Sequence, residues 1–371
     1  MPASNPVLII SQSGRAMAKS AGLAGIQSYV MDMYADTDTR EISLGVKKIP
    51  VQTGRTADIN FISMLDEFCN HNISGVILGS GFEDKPDIYC YLDEKFKLLG
   101  NSHETVKKIR DPAQFFPGLQ KLGISYPPVT SVIPENRTGW LAKKTGGCGG
   151  THIKPANGIN RGKYYFQKFV NGQSMSAVFL AFKDQATLVG ISETWCRDAA
   201  NLDFTYAGAV TRDLVDTTLY ARIGEIINLV TGEFQLKGLC GIDFIIDESC
   251  RLYVLEVNPR PVATFELHEK NTSLIGLHID ACQGIRHDCF QKRQDLVRAC
   301  KIVYADADFI VPEFSWPEWT TDRPVTGSLT RKGDPVCCIH AEHSVDEQIN
   351  ILLQQRAHQL FRGLGVQSIA A

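Results

Sequence analysis

Short apolar runs separated by polar turns recur along the chain, and their lengths predict its elements. Val7-Leu8-Ile9-Ile10 is a continuous apolar run, as expected of a strand covered on both faces. The turn Ser11 to Gly14 leads into a small-residue helix, Arg15 to Leu23, which Gly25 ends, and Gln27 to Met31 reads as the next strand. This βαβ order implies a parallel sheet. Ala35 to Arg40 reads as polar loop, Ile59 to Asn70 as helix, and Gly75 to Leu78 as strand. The loop Gly79 to Glu83 then leaves the carboxyl end of that strand, which is the ligand side of a parallel sheet. About the first hundred residues thus form one doubly wound unit.

Ser102 reads as a helix N-cap, Asp111-Pro112 breaks its helix, and Ala113 to Leu122 forms another. Strands are expected over Gly139 to Lys143, Tyr164 to Phe169, Ser174 to Phe182 and Thr187 to Ser192. Leu219, Ile223, Ile226, Ile227 and Val230 give Asp216 to Val230 a helical period. Further helices are expected over 271–282, 284–293 and Val345 to Leu364.

Between them lie two short runs of β-formers, Gly241 to Ile246 and Leu252 to Pro261, joined by the turn Asp247 to Cys250. They predict an antiparallel hairpin. Glu256 and Asn258 are two apart and share a face, and a hairpin register can bring Asp243 beside them. Two carboxylates and an amide on an otherwise apolar hairpin offer only oxygen ligands, which suits Mg²⁺ carried on a nucleotide phosphate. Arg260, held between Pro259 and Pro261, is a fixed fork for phosphate or carboxylate.

A second chemical signal is Thr145 to His152, with Gly146, Gly147, Gly149 and Gly150 in five positions. Glycine weakens strands and helices alike, so such a run is not there for packing. It lets backbone N–H groups turn toward an anion, and Lys143 and Lys144 beside it supply counter-charge for phosphates. The run lacks the G-K-[ST] ending of a P-loop. Ser11 to Arg15 lacks G-x-G-x-x-G and reads as a plain tight turn.

Composition narrows the class. With 371 residues, 44% hydrophobic and 21% charged, the chain is a globular protein of two to four subdomains. Its net charge of −3, without a basic block, does not suggest a nucleic-acid partner. Eleven scattered cysteines without C-x-x-C are expected to be free thiols in a reducing cytosol. No apolar run reaches membrane-spanning length, so a cytoplasmic location and no membrane partner are expected. No His/Cys cluster has zinc spacing. His268 and His278 read as packing residues, His152 as a loop-packing or phosphate-side residue, and Cys148 as an ordinary thiol.

The order of these features resembles the ATP-grasp superfamily over roughly residues 1 to 290, most specifically in the hairpin with its Asn258-Pro259-Arg260. The resemblance implies an α/β (α+β) ATP-grasp fold. It divides the chain into an N-terminal α/β domain (1–100), a lid subdomain with the glycine loop (101–170), an ATP/Mg-binding subdomain (171–298) and a small C-terminal subdomain (299–371). It implies ATP and Mg²⁺ as cofactors, with Mn²⁺ as a substitute. Asp243, Glu256 and Asn258 match the metal ligands, Lys143 a lysine that reaches the phosphates, and Gly146 to Gly150 the lid loop. Arg260 matches an arginine used on the γ-phosphate or acyl-phosphate. Gln167, Lys168, Phe169 and Val170 fall on the hinge that holds adenine through backbone and side chain, and Ser174 where a ribose-binding glutamate is common. The chain departs from the pattern at Pro112, where many members carry a lysine; either Lys107 or Lys108 replaces it, or that contact is absent. It departs again at Gln167-Lys168, in place of two acids, and at Asp243, where some members use glutamate.

Glu256 to Arg260, with Gly276 to Gly284, Ser13-Gly14-Arg15 and Asp36 to Arg40, is similar to a narrower branch, the tyramine–glutamate ligases of methanofuran-type cofactor pathways. The expected activity is an ATP-dependent carboxylate–amine ligase with small-molecule carboxylate and amine substrates, as a homodimer, the common state in that superfamily. A bicarbonate-using carboxylase and a nucleotide-binding regulatory protein without turnover are the alternatives. Glu83, Arg197 and Arg212 are further candidates for substrate contact.

Overall fold

The computed structural model describes residues 5–50, 55–159, 162, 164–198, 203–212, 217–287 and 296–365. The chain opens with β1 (Val7–Ile10), α1 (Arg15–Leu23), β2 (Ser28–Asp32), α2 (Thr37–Ile42), β3 (Gly45–Lys48), α3 (Arg55–Asp66), β4 (Gly75–Leu78) and α4 (Pro86–Lys95). The four strands are parallel, in the order β3-β2-β1-β4. Val7 and Ile9 pack with α1, and Leu8 and Ile10 with α3 and α4, which is why β1 carries no polar residue. The strand order reverses between β1 and β4, and the crevice beyond their carboxyl ends is where such sheets hold ligands.

One stretch differs from expectation. Residues 35–40 are not a polar loop; they enter α2, with Asp36, Asp38 and Thr39 buried. Asp38 accepts the backbone N–H groups of Asp322 at 2.8 Å and Arg323 at 2.9 Å. A tie across that much chain leaves no mark on local propensity.

Helices α5 (His103–Arg110) and α6 (Pro112–Lys121) follow. Ser102 Oγ accepts the Thr105 N–H at 3.2 Å, and Asp111 caps α6 by accepting the Ala113 N–H at 3.0 Å. Pro112 takes the first position of α6, where its missing N–H costs nothing. A small antiparallel sheet comes next: β5 (Val129–Thr130), β6 (Trp140–Lys144), β7 (Ile153–Pro155) and β8 (Tyr164–Lys168), ordered β5-β8-β6-β7. The glycine run is the turn between β6 and β7.

The remaining elements are β9 (Gln173–Phe182), β10 (Gln185–Asp198), β11 (Asp203–Thr211), α7 (Thr217–Phe234), β12 (Gly238–Ile246), β13 (Leu252–Asn258), α8 (Phe265–His268) and α9 (Leu274–Cys282). They continue with β14 (Val297–Tyr304), β15 (Phe309–Ile310), β16 (Thr320–Thr321), β17 (Leu329–Thr330), β18 (Pro335–His343) and α10 (Asp346–Leu364). Eight strands form one antiparallel sheet, ordered β13-β12-β9-β10-β11-β14-β18-β16. The subdomain boundary expected at 298–299 falls inside β14, whose Ala299 pairs with Val210 of β11. The last segment therefore continues the central sheet. Residues 285–287 are not helical, and the rest of the helix expected over 284–293 lies outside the described residues.

One face of the large sheet buries Met175, Ala177, Phe179, Ile242 and Phe244 against Ile223, Ile227, Val230 and Phe234 of α7. Each large side chain so buried stabilises the fold by about 2 kcal/mol. On the opposite face Val178, Leu180 and Leu239 pack with Leu274 and Leu277 of α9. Further along the same strands that face turns polar, at Ser174, Ser176 and Asp243.

His268 is 1% exposed, with Nε2 2.9 Å from Ser192 Oγ, and burial pushes its pKa down to about 3. Both folded and unfolded forms are neutral above the ordinary value of 6.5; below it only the unfolded chain takes the proton. This residue is expected to remove about 2 kcal/mol of stability between pH 6.5 and pH 5. Urea unfolding of His268→Gln should show a correspondingly shallower loss over that interval.

Candidate active site

The polar half of the large sheet is built on the β12–β13 hairpin. Asp243 stands opposite Glu256 on β13 and opposite Ser176 on β9, while Gly241 stands opposite Asn258. Asn258, 4% exposed, donates from Nδ2 to Asp243 Oδ2 at 2.9 Å and to Glu256 Oε1 at 3.3 Å. The three oxygen-bearing residues expected from the sequence are thus one hydrogen-bonded group. Burial, with the Glu256 charge beside it, pushes the Asp243 pKa up to about 7. Burial acts the same way on Glu256, but Arg110, Lys143 and His152 outweigh it and hold that carboxyl below its ordinary value. Glu256 is therefore the member of the pair that keeps its charge.

Two guanidiniums meet this group from the other side. Arg260 donates from Nε to Glu83 Oε1 and from a terminal nitrogen to Asn258 Oδ1 at 3.3 Å. Arg110, the last residue of α5, reaches Glu83 Oε1 at 3.0 Å, Asn258 Oδ1 at 3.2 Å and Glu256 Oε2 at 3.6 Å. Glu83, on the loop after β4, is buried; Arg260 and Arg110 overcome the push of burial and hold its pKa down to about 2. Neither lysine that could stand in for the one missing at Pro112 reaches the hairpin. Lys107 is exposed and Lys108 pairs with Glu104 on the helix surface at 3.7 Å, whereas Arg110 brings a cation to the hairpin. Arg110→Ala would strand Glu256 and half of the Glu83 pairing, costing about 3 kcal/mol in urea unfolding. Lys108→Ala should change stability by less than about 0.5 kcal/mol.

Lys143, on β6, is 5% exposed. Burial lowers its pKa, while Glu256 and Asp243 pull the other way, which places its ammonium within electrostatic reach of the hairpin acids. The glycine turn beyond it is held down on three sides. Gly146 abuts the Asp84 side chain, and a side chain at Gly147 would collide with the His152 ring. Gly149 accepts the Tyr206 N–H at 3.0 Å, and Cys148 Sγ lies 3.8 Å from Gln12 Oε1. Gly150 has φ +77°, and a Cβ there would lie 1.8 Å from the Phe204 carbonyl oxygen. The turn thus bridges the N-terminal unit and β11. Burial raises the Cys148 pKa, which keeps it a thiol.

The hinge residues divide. Gln167 is 1% exposed, and its Nε2 donor has no partner among the described residues. Lys168 turns away: its Nζ donates to the Thr138 carbonyl at 3.0 Å and lies over the Trp140 ring. The N–H groups of Lys168 and Phe169 are spent on Pro128 and Gly139, so an adenine contact by the Lys168 side chain or by either N–H is not what this geometry offers. Phe169 is exposed near Phe204, and Val170 is half-buried. Ser174 Oγ lies 3.0 Å from Thr194 Oγ1 at the edge of the polar face. Arg197 and Arg212 are paired with Asp203, and with Glu193 and Asp346, respectively. His278 accepts the Leu239 N–H at 2.8 Å and contacts the Leu99 carbonyl at 2.9 Å, a tie between elements. The ten described cysteines are all free thiols, and no helix among the described residues is long and apolar enough to cross a membrane.

Residues 104–264 match the family model described as "ATP-grasp domain". The biotin carboxylase domain of Hydrogenobacter thermophilus 2-oxoglutarate carboxylase, solved as a dimer with MgADP and bicarbonate, superposes with TM-score 0.74 at 13% identity, over 95% of this chain and 89% of that one. The fold is ATP-grasp. An L-amino acid ligase from Bacillus licheniformis shares this ATP-grasp architecture with TM-score 0.72 at 13% identity, over 99% of this chain and 100% of that one. In sequence, an uncharacterized protein of Methanocaldococcus jannaschii is 22% identical over 94% of this chain and 91% of its own.

Proposed function

We propose that this ATP-grasp protein is a Mg-ATP-dependent carboxylate–amine ligase. The observation that carries the reading is Asn258, which ties Asp243 to Glu256 on one side and meets Arg110 and Arg260 on the other. The residues fit the nucleotide and metal that the fold implies. The hairpin donors are all oxygens, and Gln167 Nε2 is a buried donor without an acceptor among the described residues. Among the described residues no group of three or more His, Cys, Asp or Glu side chains could hold a metal ion, so two carboxylates and an amide need phosphate oxygens to complete a shell, as Mg²⁺ sites on nucleotides do. Asp243, Glu256 and Asn258 would hold the metal. Lys143, Arg260 and the loop glycines Gly146, Gly147, Gly149 and Gly150 would hold the phosphates, with Gln167, the free backbone groups up to Val170, and Ser174 on the nucleoside side.

Mg-ATP would supply the phosphoryl group that converts a carboxylate into an acyl-phosphate, from which an attacking amine displaces phosphate to leave the amide. The chain's own residues contribute alignment and charge. Arg260, fixed by Glu83, Asn258 and the Pro261 carbonyl, would turn its remaining N–H donors to a substrate oxygen, and the buried Lys143 would neutralise charge there. The glycine turn, docked on β11, excludes water from a hydrolysable acyl group. No protein nucleophile is required, which agrees with an unactivated Cys148.

The narrower proposal is glutamate joined to an aryl-ethylamine, as in methanofuran-type cofactor pathways, by a homodimer. ADP release and product mass with Mg-ATP, glutamate and tyramine test it. ADP that requires both substrates, with a product of their summed mass less water, supports it. ADP release with bicarbonate and no amine would select carboxylation instead; Mg-ATP binding without turnover on any pair would select a regulatory role.

A further inference from the structure

The carboxyl ends of β1 and β2 carry a second group of charges that the hairpin site does not use. Arg15, 4% exposed, lies 2.6 Å from Glu266 Oε2 and 3.2 Å from Asp322 Oδ2. Asp322 also accepts the Ser13 hydroxyl at 2.9 Å. Asp32 accepts the N–H groups of Gly14, Tyr34 and Ala35, and Asp38 those of Asp322 and Arg323. Each of these acids is therefore satisfied.

Asp36 is different. It is 6% exposed and stands at the N-cap of α2, yet its carboxylate makes no capping bond, and among the described residues no donor is hydrogen-bonded to it. Burial, with Asp322, Asp32 and Asp38 alongside, pushes its pKa up to about 8. Arg15 is the cation facing this set, and it is already shared between Glu266 and Asp322. A buried carboxylate among like charges is costly unless a cation joins it. A metal ion fits this carboxylate poorly, because its neighbours have no free oxygens to share: Asp32 and Asp38 accept backbone N–H groups and Asp322 faces Arg15.

The surroundings fit an organic ammonium. Tyr34, half-buried and two residues before Asp36, bonds to Gln12, and Gln12 in turn meets Cys148 of the glycine turn. Ala35, between the two, holds a left-handed φ of +52°, a strained conformation for alanine of the kind retained at ligand contacts. β2 is the neighbour of β1, whose other neighbour β4 leads to Glu83. The group therefore borders the same crevice as the hairpin site, on the ligand side of the sheet.

We propose that Asp36, with Tyr34 and Gln12 beside it, binds the ammonium group of an amine-bearing substrate. The inference rests on the ligase reading for its place in a reaction. The ammonium belongs either to the acceptor amine or to an amino-acid donor, and two probes separate these sources. The full chain, as wild type, Asp36→Asn and Asp36→Glu, is titrated calorimetrically with tyramine and with glutamate in the presence of Mg-ADP. One amine is expected to lose at least about ten-fold in affinity in Asp36→Asn and to recover part of it in Asp36→Glu. Its counterpart without the ammonium, 4-ethylphenol for tyramine or glutarate for glutamate, should bind both proteins equally. Equal binding of both amines to wild type and Asp36→Asn, a loss shared by the neutral counterpart, or no amine binding at all overturns the proposal; Asp36 is then an internal protonated acid. The asparagine is isosteric with that acid, and an unchanged melting temperature confirms folding. If Mg-ADP binds and the amines do not, the ammonium site alone fails; if Mg-ADP does not bind, the ligase reading fails.

Discussion

Asp243→Asn is expected to abolish turnover while leaving the protein at least as stable as wild type. The charge on Asp243 is held against burial and against Glu256, which together raise its pKa to about 7, so a neutral isostere relieves the folded state. The same substitution removes a carboxylate from a donor set that has only two. Electrostatic stabilisation lost at a reacting phosphate slows turnover by about 100-fold or more, and Mg-ADP affinity should fall by about 10- to 100-fold. A thermal melt and an ADP-release assay on one preparation check both halves. A variant that melts lower by several degrees and keeps its rate would contradict the assignment. Glu256→Gln should behave differently: that carboxylate is charged and faces Arg110, Lys143 and His152, so both stability and turnover are expected to fall.

The second large effect is expected at the glycine turn. Gly150→Ala adds a Cβ 1.8 Å from the Phe204 carbonyl oxygen at a position of φ +77°. The left-handed backbone alone costs alanine about 1 kcal/mol, and the collision with main chain cannot be relieved by a rotamer change. The turn must lift off β11, losing the Gly149–Tyr206 hydrogen bond. Nucleotide binding should weaken by only about two- to five-fold, because the turn's share of the phosphate contacts is lost while Lys143, Asp243 and Glu256 are untouched. The amide-forming rate should drop by about ten-fold or more, with a rising share of ADP formed without product as water enters. Equal coupling in Gly150→Ala and wild type would remove the turn from the catalytic cycle. Gly149→Ala is a useful contrast, since a Cβ there meets nothing within contact distance and only the backbone term at φ +63° applies.

The hairpin was readable from the chain because its signal is local. A period of two fixes which residues share a face, and two acids with an amide among apolar β-formers leave few other readings. Strand β1, helix α1 and the Ser102 cap were readable for the same reason. Arg110 was missed, although a signal existed. The buried stripe of α5 is Thr105, Val106 and Ile109, and a helical period of 3.6 sets Arg110 beside that stripe while turning Lys107 and Lys108 outward. The family pattern drew attention to lysines and away from that geometry. Asp36 to Arg40 stood out as a motif, but its burial could not be read, because Asp38 is tied to Asp322 and Arg323 at the far end of the chain. The boundary expected at 298–299 cuts through β14, because pairing between β11 and β14 is a property of the sheet and not of either strand.

The central claim is that a substrate carboxylate is activated as an acyl-phosphate before an amine attacks it. Glutamate labelled with oxygen-18 in its carboxylates, turned over with Mg-ATP and tyramine, tests this directly by mass spectrometry of the released phosphate. Carboxylate activation predicts one labelled oxygen in each phosphate formed and an amide of matching amount. Unlabelled phosphate accompanying the amide would contradict it, as would phosphate released from bicarbonate and ATP with no carboxylate or amine consumed.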